Sequence, residues 1–255
     1  MPKPDPHPSR RSAVVTGASS GIGRATAVAL AAAGHPVAVG ARRVDRLAEL
    51  VEEIRSAGGE AVAVPLDLHD PDSVKAFAGS ATDAIGPIEV LVSNAGVVDP
   101  ITTYSPAAGF AEQLQVNLLG AQALVEALLP PMIERRRGDV VFVTSDVVVN
   151  PRPLMGGYVA SKFALEGLAR AMALELEGTG VRVGVVRPGP SSTEQGTTWG
   201  VDQVVEVMAS WERFGLLRHS GALRPTELAD AVVAMVSVPR GTRWSLLEIQ
   251  PEAPT

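Results

Sequence analysis

Thr16-Gly17-Ala18-Ser19-Ser20-Gly21-Ile22-Gly23 follows a short apolar run at 13–16 and opens a stretch of small and apolar residues at 21–33. The first run reads as a strand and the second as a helix. Glycines between them let the backbone turn tightly and approach a ligand where any Cβ would intrude. The helix then presents unpaired N–H groups and the positive end of its dipole. Together these features form a cradle for a pyrophosphate. Gly17, Ser19, Ser20, Gly21, Ile22 and Gly23 would lie against it. The spacing here is Gly-x-x-x-Gly-x-Gly, which differs from the common Gly-x-Gly-x-x-Gly of dinucleotide folds.

Outward from the cradle, apolar runs at 36–41, 60–66, 90–93, 139–145, 181–187 and 245–250 alternate with helical patterns at 43–57, 71–85, 115–133 and 158–177. Most of the runs are apolar without interruption, as expected of parallel strands buried on both faces. The alternation predicts an α/β fold, a doubly wound parallel sheet with right-handed crossovers and helices on both faces. The segment 191–224 breaks the rhythm and carries Trp199, Trp211 and Phe214 between polar, glycine-containing flanks. An irregular insertion of that length predicts a substrate lid. Prolines alternate with polar residues at the start, which predicts a disordered tail over 1–11 ahead of a single domain at 12–255.

Nearly half of the 255 residues are apolar, enough for one large globular domain. The net charge of −6 and the lack of any basic block argue against nucleic acid or an anionic membrane as partner. No apolar run reads as a membrane span and no signal-like segment opens the chain. The chain has no cysteine, which excludes disulfides and thiolate metal sites and fits a reducing, cytoplasmic location. No metal site is expected.

Further candidates sit at strand ends. At the tip of the second strand, Ala41 offers no carboxylate for a ribose 2′-hydroxyl, whereas Arg42 and Arg43 offer guanidiniums for a 2′-phosphate, with Arg42, the first residue after the strand, expected to carry most of that choice. Arg24 is a second candidate for that phosphate. Asp67-Leu68 closes the third strand, where the carboxylate can accept from an adenine amino group. Asn94-Ala95-Gly96 follows the fourth, where small residues let an adenosine lie against the backbone. Tyr158 and Lys162 are four apart and share one helix face. A phenol with a pKa near 10 is a poor base at neutral pH, and a neighbouring ammonium would lower that value. Ser145 can donate to a substrate oxygen, and Asn117 can organise helix backbone or a water near Lys162.

Taken together, Thr16–Gly23, Asp67, Asn94-Ala95-Gly96, Asn117, Ser145, Tyr158-x-x-x-Lys162 and Pro188-Gly189 resemble the short-chain dehydrogenase/reductase family in its classical short form. The resemblance runs from about residue 12 to 193. It implies a seven-stranded Rossmann sheet and hydride transfer between a nicotinamide and a carbonyl or secondary alcohol. It implies Tyr158 as general acid/base, Lys162 on the nicotinamide ribose, Ser145 on the substrate oxygen and Asn117 supporting a proton-relay water. It further implies that Pro188, Gly189 and Thr193 line the nicotinamide side. Asp146 departs from the small or apolar residue usual after the serine, and the ending Leu247-Glu248-Ile249-Gln250-Pro251 departs from the Asp-Gly-Gly common in some subgroups.

The function expected is an NADP(H)-preferring oxidoreductase acting on a small apolar carbonyl or alcohol. Its pocket is drawn from Ser145, Val147, Met155, Tyr158, Pro190 and Trp199, with Val148, Pro153, Trp211 and Phe214 as further apolar neighbours. The alternative is a non-catalytic NADP-binding regulatory or sensor protein on the same fold. The 158–177 helix is apolar on most faces, which predicts a homodimer or homotetramer built on it.

Overall fold

Side chains along a strand alternate between the two faces of its sheet, and here both sets are apolar. In the computed structural model, which describes residues 6–217 and 219–254, Ala13 and Val15 pack on one face while Val14 packs on the other. Val37 and Val39 oppose Ala38 in the same way, and Val141 and Val143 oppose Phe142. Such strands need cover on both sides. The chain supplies it by returning each strand through a helix.

Seven parallel strands result: β1 (Ala13–Thr16), β2 (Val37–Ala41), β3 (Ala61–Pro65), β4 (Val90–Ser93), β5 (Gly138–Val143), β6 (Val181–Pro188) and β7 (Leu246–Ile249). Their order is β3-β2-β1-β4-β5-β6-β7. Helices α1 (Gly21–Ala32), α2 (Val44–Ser56) and α8 (Pro225–Ser237) cover one face through Leu30, Leu50 and Val232. Helices α3 (Pro71–Ile85), α5 (Gly120–Glu134) and α6 (Gly156–Glu175) cover the other through Phe77, Leu124 and Leu165. The order of strands reverses direction between β1 and β4, and ligands of open α/β sheets bind at the carboxyl ends of strands flanking such a point.

Helix α4 (Ala107–Leu114) runs into α5 through one π-helical turn, Gln115–Leu119. The continuous helix 107–134 is long and apolar enough by length and composition to cross a membrane, contrary to the expectation that no run qualifies. Its apolar side chains Leu124, Leu128 and Met132 lie instead in the core, against α3 and the sheet.

Two expectations are corrected. The segment 191–224 is not irregular throughout, because it holds the amphipathic helix α7 (Val201–Arg213). The disorder expected over 1–11 does not extend to Arg11, which is 3 % exposed. Its guanidinium donates to the carbonyls of Val236 at 3.0 Å and Glu89 at 3.2 Å and pairs with Asp139. Ahead of it, His7 contacts Arg182 at 2.7 Å, and burial beside Arg11 and Arg182 pushes its pKa down to about 4. Residues 1–5 lie outside the described part.

Candidate functional site

The carboxyl ends of β1, β4, β5 and β6 open onto a cavity of about 1330 Å³. Its wall begins at the glycine turn. Gly17 has φ +67°, and a Cβ there would stand 2.8 Å from the Cα of Ala95. The turn is tied to β4 through Thr16, whose hydroxyl accepts from the backbone N–H groups of Asn94 and Ala95, each at 3.1 Å. Asn94 Nδ2 in turn donates to the Thr16 carbonyl at 2.9 Å. Two strand ends are thereby locked together, with the N-terminus of α1 facing the open space.

Most of the sequence-predicted cofactor residues line this cavity: Gly17, Ser19, Ser20, Gly21 and Ile22 from the turn, Arg42 and Arg43 from the tip of β2, and Asp67, Leu68, Asn94, Ala95 and Gly96 beyond it. Pro188, Gly189 and Thr193 form the far edge. Gly23 does not reach the wall. A Cβ there would meet Asn94 Nδ2 and the Gly17 carbonyl, both at 2.5 Å, so its absence permits close packing behind the turn. Arg24, the second phosphate candidate, is turned onto Glu53 of α2. Arg43 is the organised cation, donating to Ser19 at 3.0 and 3.1 Å and to Ser20 at 2.8 Å. Asp67 Oδ1 accepts from the His69 backbone N–H at 3.0 Å and meets the His69 ring at 2.9 Å. His69 was not singled out in the sequence, and it lines the cavity as well.

At the other end, Tyr158 and Lys162 stand on the first turns of α6, opposite Ser145 at the end of β5. Tyr158 is 8 % exposed, and Ser145 and Gln195 are the polar neighbours that act to lower the pKa of its hydroxyl. Burial pushes its pKa above 10, against the lowering expected from Lys162. The Lys162 ammonium lies 5.7 Å from the centre of the phenol ring and donates to the Val143 carbonyl at 2.9 Å. Burial pushes its own pKa down to about 8. The cation expected to draw the proton off Tyr158 is therefore itself weakened by the same desolvation.

Asn117 differs from expectation in another way. It sits in the π turn, 1 % exposed and behind the cavity wall. Its Oδ1 accepts from Val97 N–H at 2.7 Å, and its Nδ2 donates to the Val97 carbonyl and to Ser161 Oγ, both at 2.9 Å. Both polar ends of the side chain are engaged, so it acts as a clamp between the end of β4 and α6. Of the residues expected to form the substrate pocket, Val147, Met155, Pro190, Trp199 and Trp211 line the cavity with Ser145 and Tyr158. Phe214 is not part of the wall and is 61 % exposed, and Val148 and Pro153 also lie outside it.

The match to the short chain dehydrogenase model covers residues 11–203. The chain belongs to the short-chain dehydrogenase/reductase family. A short chain dehydrogenase of Pseudocercospora fijiensis is 36 % identical over 239 residues, covering 90 % of this chain and 76 % of the relative. Two solved structures of the family are similar throughout. An alcohol dehydrogenase of the archaeon Thermococcus sibiricus, complexed with 5-hydroxy-NADP, has a TM-score of 0.81 at 32 % identity, covering 96 % of this chain and 99 % of that one. A short chain dehydrogenase/reductase of Burkholderia phymatum, in complex with NAD, has a TM-score of 0.81 at 26 % identity, covering 93 % and 89 %. As a member of the family, the chain is an oxidoreductase with a nicotinamide-binding fold. The glycine turn and the N-terminus of α1 at the head of the cavity fit that group.

Proposed function

We propose that this short-chain dehydrogenase/reductase reduces the carbonyl of a small, largely apolar substrate with NADPH, or runs the reverse oxidation of a secondary alcohol. The observation that carries the reading is the convergence of the Tyr158 and Ser145 hydroxyls in the wall of one cavity, with the glycine cradle and Arg43 at its other end. A bound reduced nicotinamide supplies the hydride for the carbonyl carbon. The chain's own share is the rest. Ser145 donates a hydrogen bond to the carbonyl oxygen and orients it. Tyr158 gives that oxygen its phenolic proton and is reprotonated from solvent. A phenol held above its ordinary pKa by burial is protonated at neutral pH, the state that reduction requires.

Arg42 and Arg43, beside an Ala41 that carries no carboxylate, support NADP(H) over NAD(H). Lys162, in the cavity wall, would contact the ribose, and Thr193 would cover the cradle; its side chain lies 3.5 Å from where a Cβ on Gly21 would be. Apolar walls at Val147, Met155, Pro190 and Trp199 favour an apolar substrate. Phe163 and Leu174, exposed on α6, support a homo-oligomer paired through that helix.

Consumption of NADPH and NADH over a panel of ketones and aldehydes tests the reading. Turnover is expected on apolar carbonyls with NADPH preferred, and Tyr158→Phe should lose about 10²–10⁴-fold in kcat with NADPH binding nearly unchanged. A Tyr158→Phe enzyme with comparable turnover would overturn the assignment.

A further inference from the structure

Asp146 follows Ser145 directly and is 4 % exposed, yet the proton transfer above gives it no part. It opens a 3₁₀ turn, Asp146–Val148, on the floor of the cavity. The Ser145 hydroxyl donates to its Oδ1 at 3.4 Å. A bare carboxylate in that position would be a buried charge with two consequences. It would compete with substrate for the Ser145 proton, and it would oppose negative charge on the Tyr158 oxygen.

Arg152 opposes both by offsetting the charge. Its guanidinium forks onto the carboxylate, Nη1 to Oδ1 at 2.9 Å and Nη2 to Oδ2 at 2.7 Å. Bidentate pairs of this kind are the strong ones and fix geometry as well as charge. The Arg152 side chain is 13 % exposed, and its outer face lies 5.3 Å over the ring of Trp211 from helix α7. The Trp211 indole N–H donates to the Pro153 carbonyl at 3.1 Å, next to Arg152 in the chain. The arginine is therefore held from two directions, by the carboxylate below it and by the helix above it.

We infer that Arg152 is a positioning residue for the proton donor: it cancels the Asp146 carboxylate that faces Tyr158 and Ser145, and its stack on Trp211 makes that cancellation depend on α7 being in place. The groups facing the Tyr158 oxygen come from four elements. Ser145 and Asp146 end β5 and open the following turn. Arg152 comes from the loop before α6 and Gln195 from the 191–200 loop, while on α6 itself the Lys162 ammonium stands 5.7 Å from the centre of the phenol ring. Asp146 raises the pKa of the phenol and Arg152 lowers it, so the two oppose each other. The site is thus balanced when α7 covers it and becomes less acidic when the stack opens.

The inference rests on Tyr158 as proton donor but is tested without turnover. The chain has two tyrosines, and the other, Tyr104, is 87 % exposed. A Tyr104→Phe background leaves Tyr158 as the sole phenol, and its ionisation can be followed by ultraviolet difference absorbance of the full-length protein. Asp146→Asn should lower the titration midpoint by roughly one pH unit and Arg152→Gln should raise it by a similar amount, on the scale at which neighbouring charges act. The double variant should return close to the parent. Trp211→Leu should move the midpoint in the same direction as Arg152→Gln, by less. Single variants that shift the same way, or an Asp146→Asn protein with an unmoved midpoint, would overturn the inference. Asp146→Asn is near-isosteric and carries the test alone if Arg152→Gln does not fold. A Tyr158→Phe enzyme that kept its activity would instead remove the proton-donor reading and leave the titration result standing.

Discussion

Glu194 lies on the guanidinium of Arg43, its Oε2 2.9 Å from Nη1, while the other side of that guanidinium donates to Ser19 and Ser20. Arg46 stands near the same carboxylate at 3.8 Å, and the Arg43 hydrogen bond holds the Glu194 carboxyl below its usual range. A protein carboxylate thus occupies the cation set that the proposed function gives to a 2′-phosphate. Glu194→Gln should therefore tighten NADPH by several-fold and leave NADH unchanged, because a like charge no longer competes for Arg43. Fluorescence titration of both cofactors reads this directly. A variant that binds NADPH more weakly would mean that Glu194 closes over the cofactor rather than competing with it.

The arginines themselves give a second expectation. The sequence reading placed most of the 2′-phosphate recognition on Arg42, whereas Arg43 is the one hydrogen-bonded to the cradle. Hydrogen bonds to charged groups contribute about 1.5–3 kcal/mol. Arg42→Ala and Arg43→Ala should each weaken NADPH by roughly 10- to 100-fold at about 1.4 kcal/mol per decade. NADH should change little. Equal loss of both cofactors in either variant would remove that arginine from phosphate recognition.

Lys162 carries a cost in the ligand-free protein. Its pKa falls from 10.5 unfolded to about 8 folded through burial, so the native chain binds this proton less tightly than the unfolded one. At 1.36 kcal/mol per pKa unit that is about 3 kcal/mol. The burden is full below pH 8 and fades as pH rises to about 10.5. Lys162→Met forfeits a hydrogen bond to Val143 worth about 1 kcal/mol. At pH 7 the variant should still melt several degrees higher than the parent, with the gap closing at high pH, and should bind NADPH poorly. Calorimetry of both proteins across pH settles the sign.

His69 bridges Asp67 at 2.9 Å and Glu112 of α4 at 2.7 Å. The Asp67 hydrogen bond raises the His69 pKa, so its stabilisation is complete below the unfolded value near 6.5 and is lost as pH rises through the folded one. The Asp67 carboxyl is lowered, chiefly by the His69 N–H, so its stabilisation holds above the ordinary carboxylate range and is lost only as pH falls through its folded value. The bridge is strongest between about pH 4 and 6.5. Partly exposed pairs contribute about 0.2–1 kcal/mol. His69→Gln should thus lower Tm by at most a few degrees at pH 5.5 and by less at pH 8.5. A pH-independent difference would show that the ring packs there without titrating.

All seven strands were legible in the sequence, most of them because β1, β2, β4, β5 and β6 are buried on both faces and so read as apolar runs. Helix α7 was missed although Val204, Val207, Met208 and Trp211 recur at helical spacing, because its glycine-rich flanks read as loop. Helix α8 carried Pro225 in its first turn and Glu227 three residues past Arg224, both start signals that went unread. The catalytic candidates were legible as motifs, whereas their charges were not. That burial pushes the Lys162 pKa down to about 8, or that Asp146 is paired from six residues away, depends on solvent exclusion and on chain segments meeting across the cavity. Glu194 on Arg43, 151 residues apart, lies beyond any spacing rule.

A π turn is an α-helix carrying one residue more than its hydrogen-bond ladder needs. At Gln115–Leu119 that surplus residue sets the rotation of everything before it relative to everything after. Deleting any one position of α4 would let the ladder close as a regular helix, locally the better structure. It would also swing the preceding turns by about 100° and carry Asn117 away from Val97 and Ser161 or misalign α4 against α6. Length variation in this helix is therefore barred in the direction that backbone geometry alone would favour, and insertions or deletions compatible with activity should collect in the 98–106 loop instead.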